Sequence, residues 1–226
     1  MTTHAEFAEA LRAQRVWDRE LPGFDADAAP AEPLTLFHSW FLGAVAARQV
    51  EPHTMTLATV DADGLPDVRT LMLHDADARG WHFATHATSA KGQQLAARPF
   101  AALHFYWPAV AQQIRIRGRV SADGPGAVRS RGALAAALTG HQSEILDTRE
   151  TLVRASAAAW ERAGAEPDAT VPTWTAYTLT PDEVEFFQGD AMRRHVRLRY
   201  RRQVDEDGIS TGTGTNSRWD RELLWP

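Results

Sequence analysis

The sequence predicts an α+β fold built around an antiparallel β-barrel, and three observations indicate it. Between residues 54 and 85, short runs rich in Val, Leu, Thr and aromatic residues are separated by Asp-Gly punctuation, as in a β-meander. Residues 113–120 alternate strictly, with Ile114 and Ile116 on one face and arginines on the other. Helical patterns interrupt the strands at a few points instead of following each one, which argues against βαβ units.

The composition is that of a globular protein and argues against several functional classes. The chain has 226 residues, 44% of them hydrophobic and 23% charged, enough for one domain with a substantial core. A net charge of -5 argues against a nucleic-acid partner. No run approaches the roughly 18 apolar residues of a membrane span, and the polar N-terminus lacks a signal peptide's apolar region. Because cysteine is absent, disulfides and thiolate metal sites are excluded, and we expect a cytoplasmic protein without membrane partners.

The first part of the chain predicts two helices and then the meander. Residues 4–19 form a weak helical pattern, and the Asp-, Ala- and Pro-rich residues 23–33 predict a loop. We therefore divide the chain into an N-terminal segment, residues 1–32, and one domain, residues 33–226. The second helix begins near Pro33. Its apolar face contains Leu36, Phe37, Trp40, Phe41 and Val45. The meander strands are predicted at Thr54–Val60, Val68–His74 and Trp81–Thr85.

The rest of the chain predicts three more helices and further strands. Ser89 is a predicted N-cap, and residues 126–138 form an Ala-rich helical pattern. Asp147 and Glu150 have capping-box spacing, which begins a helix that ends at Gly164. The remaining segments are strands at 101–107, 113–120, 174–179, 184–187 and 195–200, a hairpin loop at 208–217 and an aromatic tail at 219–225. The totals are about seven strands and three to five helices.

Common catalytic and metal-binding motifs are missing. The sequence has no Rossmann fingerprint, no Walker loop and no G-x-S-x-G elbow. The histidines are scattered, and His82 with His86 would make a poor metal site, so we expect no bound metal.

The first candidate cluster is a phosphate site formed by Arg69, Ser89 and Lys91. Lys91 is the only lysine of the chain, and it follows the predicted N-cap. A phosphate near a helix N-terminus gains from the helix dipole and from charge-assisted hydrogen bonds to Arg and Lys. The alternative is an exposed strand arginine beside an ordinary helix cap.

Two further clusters suggest ligand recognition. Gln112 and Gln113 begin the alternating strand, and an amide can donate and accept at the edge of a flavin or pyrimidine ring. In an extended segment, Arg193, His195 and Arg197 lie on one face and suit an anionic substrate. The alternatives are a polar strand start and a solvated basic sheet edge, respectively.

In this order, the clusters resemble the pyridoxamine/pyridoxine 5'-phosphate oxidase family, FMN enzymes of the split-barrel fold. The resemblance runs from about residue 34 to the end of the chain. The segments that carry it are LATVDADGLPDVR at 57–69, FATHATSAKG at 83–92, HFYWPAVAQQIRIRG at 104–118, HQS at 141–143, VEFFQG at 184–189 and RRHVR at 193–197.

The resemblance implies a role for each matching residue. The FMN phosphate and ribityl chain would be held by Arg69, Leu71, Met72, Thr85, Ser89 and Lys91. Gln113 would face the flavin ring, and Phe187, where the family usually has Trp, would lie against it with Arg197 nearby. Gln142 and Ser143 would reach FMN from the second subunit of a homodimer. Arg193 and His195 would be the catalytic pair that covers the substrate.

The implied reaction is hydride transfer from the substrate to flavin N5, followed by reoxidation by O2 to give hydrogen peroxide. The substrate site departs from the family pattern. Ala90 replaces an arginine, His74 replaces a substrate-phosphate lysine, and the phosphate clamp near 125–135 keeps only Arg129 or Arg131. Two alternatives therefore stay open: an oxidase of a dihydrophenazine carboxylate, as in a phenazine-biosynthesis subgroup, and a flavin-binding barrel without turnover.

Overall fold

The computed structural model describes residues 3–128, 130–203 and 218–226. It confirms an α+β architecture in which helices flank an antiparallel sheet. The helices are α1 (His4–Ala13), α2 (Pro33–Ala46), α3 (Ala90–Ala97), α4 (Arg131–Thr139) and α5 (Arg149–Ala165). The strands are β1 (Thr54–Val60), β2 (Pro66–Met72), β3 (Asp75–Asp77), β4 (Gly80–His86), β5 (Phe100–Trp107), β6 (Gln112–Pro125), β7 (Trp174–Gln188), β8 (Val196–Arg202) and β9 (Trp219–Leu223).

All the strands of the described chain belong to one sheet, in which β7 has the central position. The main path runs β2-β1-β5-β6-β7-β4-β3, and β8 and β9 extend from β7. The first half of β7 pairs with β4, and its second half pairs with β8, while β6 follows it along both halves. One strand therefore connects the two parts of the split barrel.

The sequence predicted two strands, at 174–179 and 184–187, where the structure has the single strand β7. Pro181 lies inside this strand, although proline cannot donate to a strand ladder. The structure accommodates it at a register shift between Arg117 and Gly118 of β6. A Cβ on Gly118 would lie 2.0 Å from the Thr180 carbonyl oxygen, so this close approach requires glycine.

Several other boundaries differ from the predictions. Helix α1 ends at Ala13 instead of residue 19, and α4 begins only at Arg131. The N-cap of α5 is Thr148, not Asp147, because the Thr148 hydroxyl accepts the Thr151 amide. Strands β3 and β9 were read as a turn and a tail, respectively. The predicted hairpin loop at 208–217 lies outside the described residues.

The core forms between helix α2 and the inner face of the sheet. Phe37 and Trp40 of α2 make edge contacts with rings of the sheet, including Phe105 and Phe186. Val45, predicted on the same apolar face, is exposed, and Ala44 is buried instead. The inner residues of β6 are buried, whereas their neighbours in sequence carry polar side chains on the outer face. The polar side chains on the outer face of β6, β7 and β8 are therefore available to contact a ligand.

The N-terminal segment packs on the barrel from residue 17 onward. The Tyr200 hydroxyl donates to the Pro30 carbonyl at 2.7 Å, and Arg19 donates to the Pro108 carbonyl at 2.6 Å. Division of the chain at residue 32 stays a prediction. No helix in the described residues is both long and apolar enough to span a membrane.

Candidate active site

Helix α3 begins at a tight turn that follows strand β4. Ser89 is the N-cap, as predicted: its hydroxyl accepts the Gly92 amide at 3.3 Å and donates to the His86 carbonyl at 2.7 Å. A Cβ on Gly92 would lie 2.4 Å from the Ala87 carbonyl oxygen. Glycine at this position therefore lets the helix start against the preceding turn.

Lys91 lies in the first turn of α3 with only hydroxyl groups as hydrogen-bond partners. Its Nζ lies 3.3 Å from the Thr85 hydroxyl and 3.4 Å from that of Ser89. Within the described chain, no carboxylate is close enough to form an ion pair with it. Burial lowers the pKa of the Lys91 ammonium, and the positive charge of Arg69 lowers it further.

Arg69 lies beside Lys91, but its guanidinium is already engaged. Nη1 donates to the Thr59 hydroxyl at 2.6 Å, and Nη2 contacts Asp67 at 2.5 Å and the Gln94 amide oxygen at 3.0 Å. The charge of Arg69 is thus balanced within the chain, whereas that of Lys91 is not. We call Arg69, Thr85, Ser89 and Lys91 the α3 cluster.

The α3 cluster suits the phosphate of FMN. It combines a helix N-terminus with a half-buried ammonium that contacts only hydroxyl oxygens, which is an environment deficient in negative charge. Leu71 and Met72 lie at the end of β2, which pairs only with β1 and leaves backbone groups on its outer edge for a ligand.

The loop between α4 and α5 brings Ser143 to the start of α3. The Ser143 hydroxyl accepts the Ala90 amide of the same chain at 3.2 Å, at the first residue of α3. Gln142 donates to the Ala136 carbonyl at 3.1 Å, and its buried Oε1 has no partner in the described chain. Ser143 has a φ of 72°, a strained conformation for a residue other than glycine. One chain alone thus places the serine at the α3 cluster.

A second group of predicted residues lies on the outer face of the sheet. Gln113, Phe187 and Arg197 are directly opposite one another on β6, β7 and β8, so their side chains share one face. The Gln113 amide oxygen is 3.0 Å from His104 Nε2. We call this row the β6–β8 face.

Arg197 also takes part in a buried ion pair on this face. Its Nε donates to Glu185 at 2.9 Å, and Arg115 contacts the other carboxylate oxygen. Burial alone would raise the pKa of Glu185, but hydrogen bonds and charge from Arg197 and Arg115 hold it below its ordinary value. Arg197 therefore has a fixed position at the edge of the predicted flavin site.

Arg193 and His195 meet a tryptophan that the sequence analysis did not single out. The Trp17 ring centroid lies 4.7 Å from the His195 ring centroid. The Arg193 guanidinium carbon lies 4.9 Å from the same Trp17 centroid. The Phe187 ring centroid lies 5.0 Å from that of His195 and 6.3 Å from that of Trp17, so the three rings contact one another. The only sequence signal was an aromatic residue in a weakly apolar N-terminal stretch.

The contacts that the structure shows for Arg131 and His74 do not bring these residues together as the predicted substrate clamp. Arg131 donates to the Trp160 carbonyl at 3.0 Å and stacks on the Trp160 ring at 4.7 Å, which ties α4 to α5. His74 follows β2, and its amide donates to the His82 carbonyl at 2.8 Å. Arg129 lies outside the described residues. Substrate roles for these three residues remain predictions.

Two family models together cover most of the chain. Residues 43–163 match the pyridoxamine 5'-phosphate oxidase model. Residues 174–226 match the model of the pyridoxine 5'-phosphate oxidase C-terminal dimerisation region. The two matches include the α3 cluster and the β6–β8 face.

Individual relatives give the same result. The chain is 43% identical over 213 residues to a pyridoxine/pyridoxamine 5'-phosphate oxidase of Pseudomonas fluorescens strain SBW25, covering 90% of this chain and 93% of that protein. The structure of PhzG from Burkholderia lata 383, in complex with tetrahydrophenazine-1-carboxylic acid, is similar with a TM-score of 0.76 and 31% identity, covering 92% of this chain and 98% of that one. A pyridoxamine 5'-phosphate oxidase-related FMN-binding protein of Nostoc punctiforme shares the fold, with a TM-score of 0.67, 20% identity and coverage of 88% and 100%.

Proposed function

Because this chain belongs to the pyridoxamine 5'-phosphate oxidase family of FMN-dependent oxidoreductases, we propose that it oxidises pyridoxine or pyridoxamine 5'-phosphate. The main support for this proposal is the similarity to the relative from Pseudomonas fluorescens, which extends over 90% of the chain. When bound, FMN would supply the redox chemistry, a two-electron oxidation of the substrate with O2 as the final acceptor and hydrogen peroxide as the product.

The chain's own residues bind and orient the reactants. Lys91, Ser89 and the start of α3 hold the FMN phosphate. Arg69 adds a second positive charge beside Lys91. Gln113 offers an amide to the edge of the flavin, with Phe187 and Arg197 beside it. Orientation of the substrate against the flavin lowers the barrier by converting an encounter into a positioned reaction.

Arg193 and His195 hold the substrate over this face. The arginine supplies positive charge and the histidine a polar ring nitrogen, while the Trp17 ring packs against both. An anionic substrate group fits this environment because Arg193, unlike Arg69, has an aromatic ring as its main neighbour.

We propose that the active form is a homodimer with two FMN sites. The match of residues 174–226 to a dimerisation region supports it. A role of the second subunit at the FMN site, through Gln142 and Ser143, belongs to this proposal, although the Ser143 hydroxyl accepts the Ala90 amide within one chain. The cytoplasmic location stays a prediction.

A phenazine-type activity is the second candidate. The similarity to PhzG, whose structure contains a tetrahydrophenazine carboxylate, favours it, as does the altered clamp. A phosphate dianion needs several charge-assisted hydrogen bonds of about 1.5–3 kcal/mol each. Arg131 spends two of its donors on the Trp160 carbonyl, which leaves fewer groups for a substrate phosphate.

One experiment separates the candidates. The purified protein is tested for bound FMN, and peroxide is followed with pyridoxine phosphate, pyridoxamine phosphate and a dihydrophenazine carboxylate. Peroxide from the first two supports the main proposal, and peroxide from only the third supports the phenazine-type activity. Bound FMN without peroxide from any of them would indicate a flavin-binding barrel without turnover. Absence of FMN binding would contradict all three.

A further inference from the structure

The segment between β7 and β8 is a tight turn organised by one carboxylate. Asp190 Oδ1 accepts the Met192 amide at 2.7 Å and the Arg194 amide at 3.2 Å. Its carbonyl accepts the Arg193 amide at 2.9 Å. Arg193 adopts a φ of 64°, a strained conformation that persists only where surrounding bonds impose it. Asp190 makes those bonds on both sides of the arginine.

The same residue contacts His195 through its backbone. The Asp190 amide donates to His195 Nδ1 at 3.0 Å. A ring nitrogen that accepts a hydrogen bond carries a lone pair, so the proton of the neutral imidazole lies on Nε2. The bond therefore selects one of the two tautomers and makes Nε2 a donor.

We propose that Asp190 is the positioning residue of the active site, which sets both the backbone of Arg193 and the tautomer of His195. This inference rests on the proposed function, in which these two side chains hold the substrate. Asp190 itself touches neither the expected flavin nor the substrate, and acts through its hydrogen bonds within the turn.

A consequence follows for substrate recognition. With its proton on Nε2, His195 donates a hydrogen bond to the substrate and does not remove a proton from it. Together with the Arg193 guanidinium, this favours an oxygen acceptor with negative charge, such as a carboxylate or a phenolate. His195 is thus a recognition group for an anionic oxygen.

Two substitutions separate the geometry of Asp190 from its charge. Asp190→Ala removes both side-chain hydrogen bonds, whereas Asp190→Asn keeps an acceptor oxygen and loses the charge. Asp61→Ala is a matched control, because Asp61 Oδ1 accepts the Asp63 and Leu65 amides at 2.9 and 2.8 Å in the β1–β2 turn. FMN content is measured in every variant.

The first readout is steady-state turnover. For Asp190→Ala we expect kcat/KM to fall on the order of 10- to 100-fold with FMN content unchanged, because small misplacements of binding groups have effects of this size. For Asp190→Asn we expect kcat/KM within a few-fold of the parent value. For Asp61→Ala we expect the parent value. A value for Asp190→Ala within about twofold of the parent would overturn the proposal.

The second readout does not depend on turnover. In the 15N NMR spectrum of the holoprotein, with His195 assigned by its loss in His195→Gln, we expect an unprotonated Nδ1 and a protonated Nε2. The amide that donates to His195 belongs to the backbone, so Asp190→Ala and Asp190→Asn keep it and should keep one tautomer, whereas Asp190→Pro lacks it and should mix the two. A protonated Nδ1 in the parent, or an unchanged spectrum in Asp190→Pro, would contradict the inference. If no substrate gives peroxide, the proposed function fails, while this spectrum still decides the role of Asp190.

Discussion

Lys91 shows how a binding group can oppose the stability of the protein that carries it. Its ammonium is half-buried among hydroxyl groups, and burial and Arg69 both lower its pKa. Because the pKa in the folded state lies below that of the unfolded chain, the charged lysine disfavours folding at every pH below its folded pKa. This cost fades as pH rises toward about 10.4. A bound phosphate reverses the effect by supplying the missing negative charge.

We therefore predict opposite effects of Lys91→Met on stability and on cofactor binding. The apoprotein should unfold at the same temperature as the parent or higher, since a costly buried charge is removed. FMN affinity should fall on the order of 10- to 100-fold, the equivalent of one charge-assisted hydrogen bond. Calorimetry of the apoprotein and flavin fluorescence titration measure the two quantities. Arg154→Met, at an exposed position of α5, should change neither.

Glu185 predicts a different pH dependence. Its pKa is held below the ordinary value by Arg197 and Arg115 against the opposing effect of burial. The resulting stability is present above about pH 4.5 and is lost as pH falls through the folded-state pKa. Glu185→Gln should cost about 2–3 kcal/mol in urea unfolding at pH 7, and less as the pH falls below 4. The exposed pair of Glu144 and His141 supplies the control, since Glu144→Gln should cost under about 1 kcal/mol. An equal cost of Glu185→Gln at both pH values would refute the assignment.

At the scale of elements, the start of α3 depends on a close backbone approach. A Cβ on Gly92 would meet the His86 and Ala87 carbonyl oxygens at 2.5 and 2.4 Å. Gly43, in the last turn of α2, has open space around the same position. Two helical glycines of one chain therefore face opposite constraints.

We predict that Gly92→Ala destabilises the protein by more than about 1 kcal/mol and weakens FMN binding, because α3 must move away from β4. Gly43→Ala should instead stabilise by roughly 0.5–1 kcal/mol, as alanine does in an unconstrained helix. Thermal unfolding with and without FMN checks both. If Gly92→Ala kept full stability and FMN affinity, α3 would not be held by this contact.

Periodicity predicted the elements best where one face is buried and the other is not. Strand β1 was predicted with its observed ends, and Ser89 was predicted as the cap of α3. The prediction of two strands in β7 was wrong because Pro181 lies at a bulge, which depends on Gly118 of another strand. The short strands β3 and β9 were missed because they form by pairing with β4 and β8, not by an apolar pattern of their own.

The same reasoning explains which features of the site could be predicted from the sequence. Ser89 and Lys91 follow β4 and Arg69 lies on β2, so their proximity arises from tertiary packing, and their role as a phosphate site stays a prediction. The engagement of Arg69 with Gln94 and of Arg131 with Trp160 was not predictable. Such partners are chosen by tertiary packing between elements distant in the chain.

On the scale of the whole molecule, the N-terminal segment reaches Arg193 and His195, the proposed catalytic pair. Trp17 packs on His195 and Arg193, which are far from it in sequence. Trp17→Ala should lower kcat/KM about three- to tenfold, the equivalent of one ring contact and one cation–π contact, with FMN affinity unchanged. Steady-state kinetics and flavin titration measure the two effects. Phe7→Ala, at an exposed position of α1, should leave both unchanged, and an equal loss in both variants would contradict a specific role of Trp17.

Lys91 is the single lysine of the chain, and so the single side-chain amine. Its lowered pKa leaves a larger share of free amine at a given pH than an exposed lysine has. Acylating reagents therefore modify one side chain, at the position where the cofactor phosphate is expected. If FMN covers Lys91 as proposed, the extent of modification would report how much of the protein is without FMN, and digestion by a lysine-specific protease would cut the chain at that same residue.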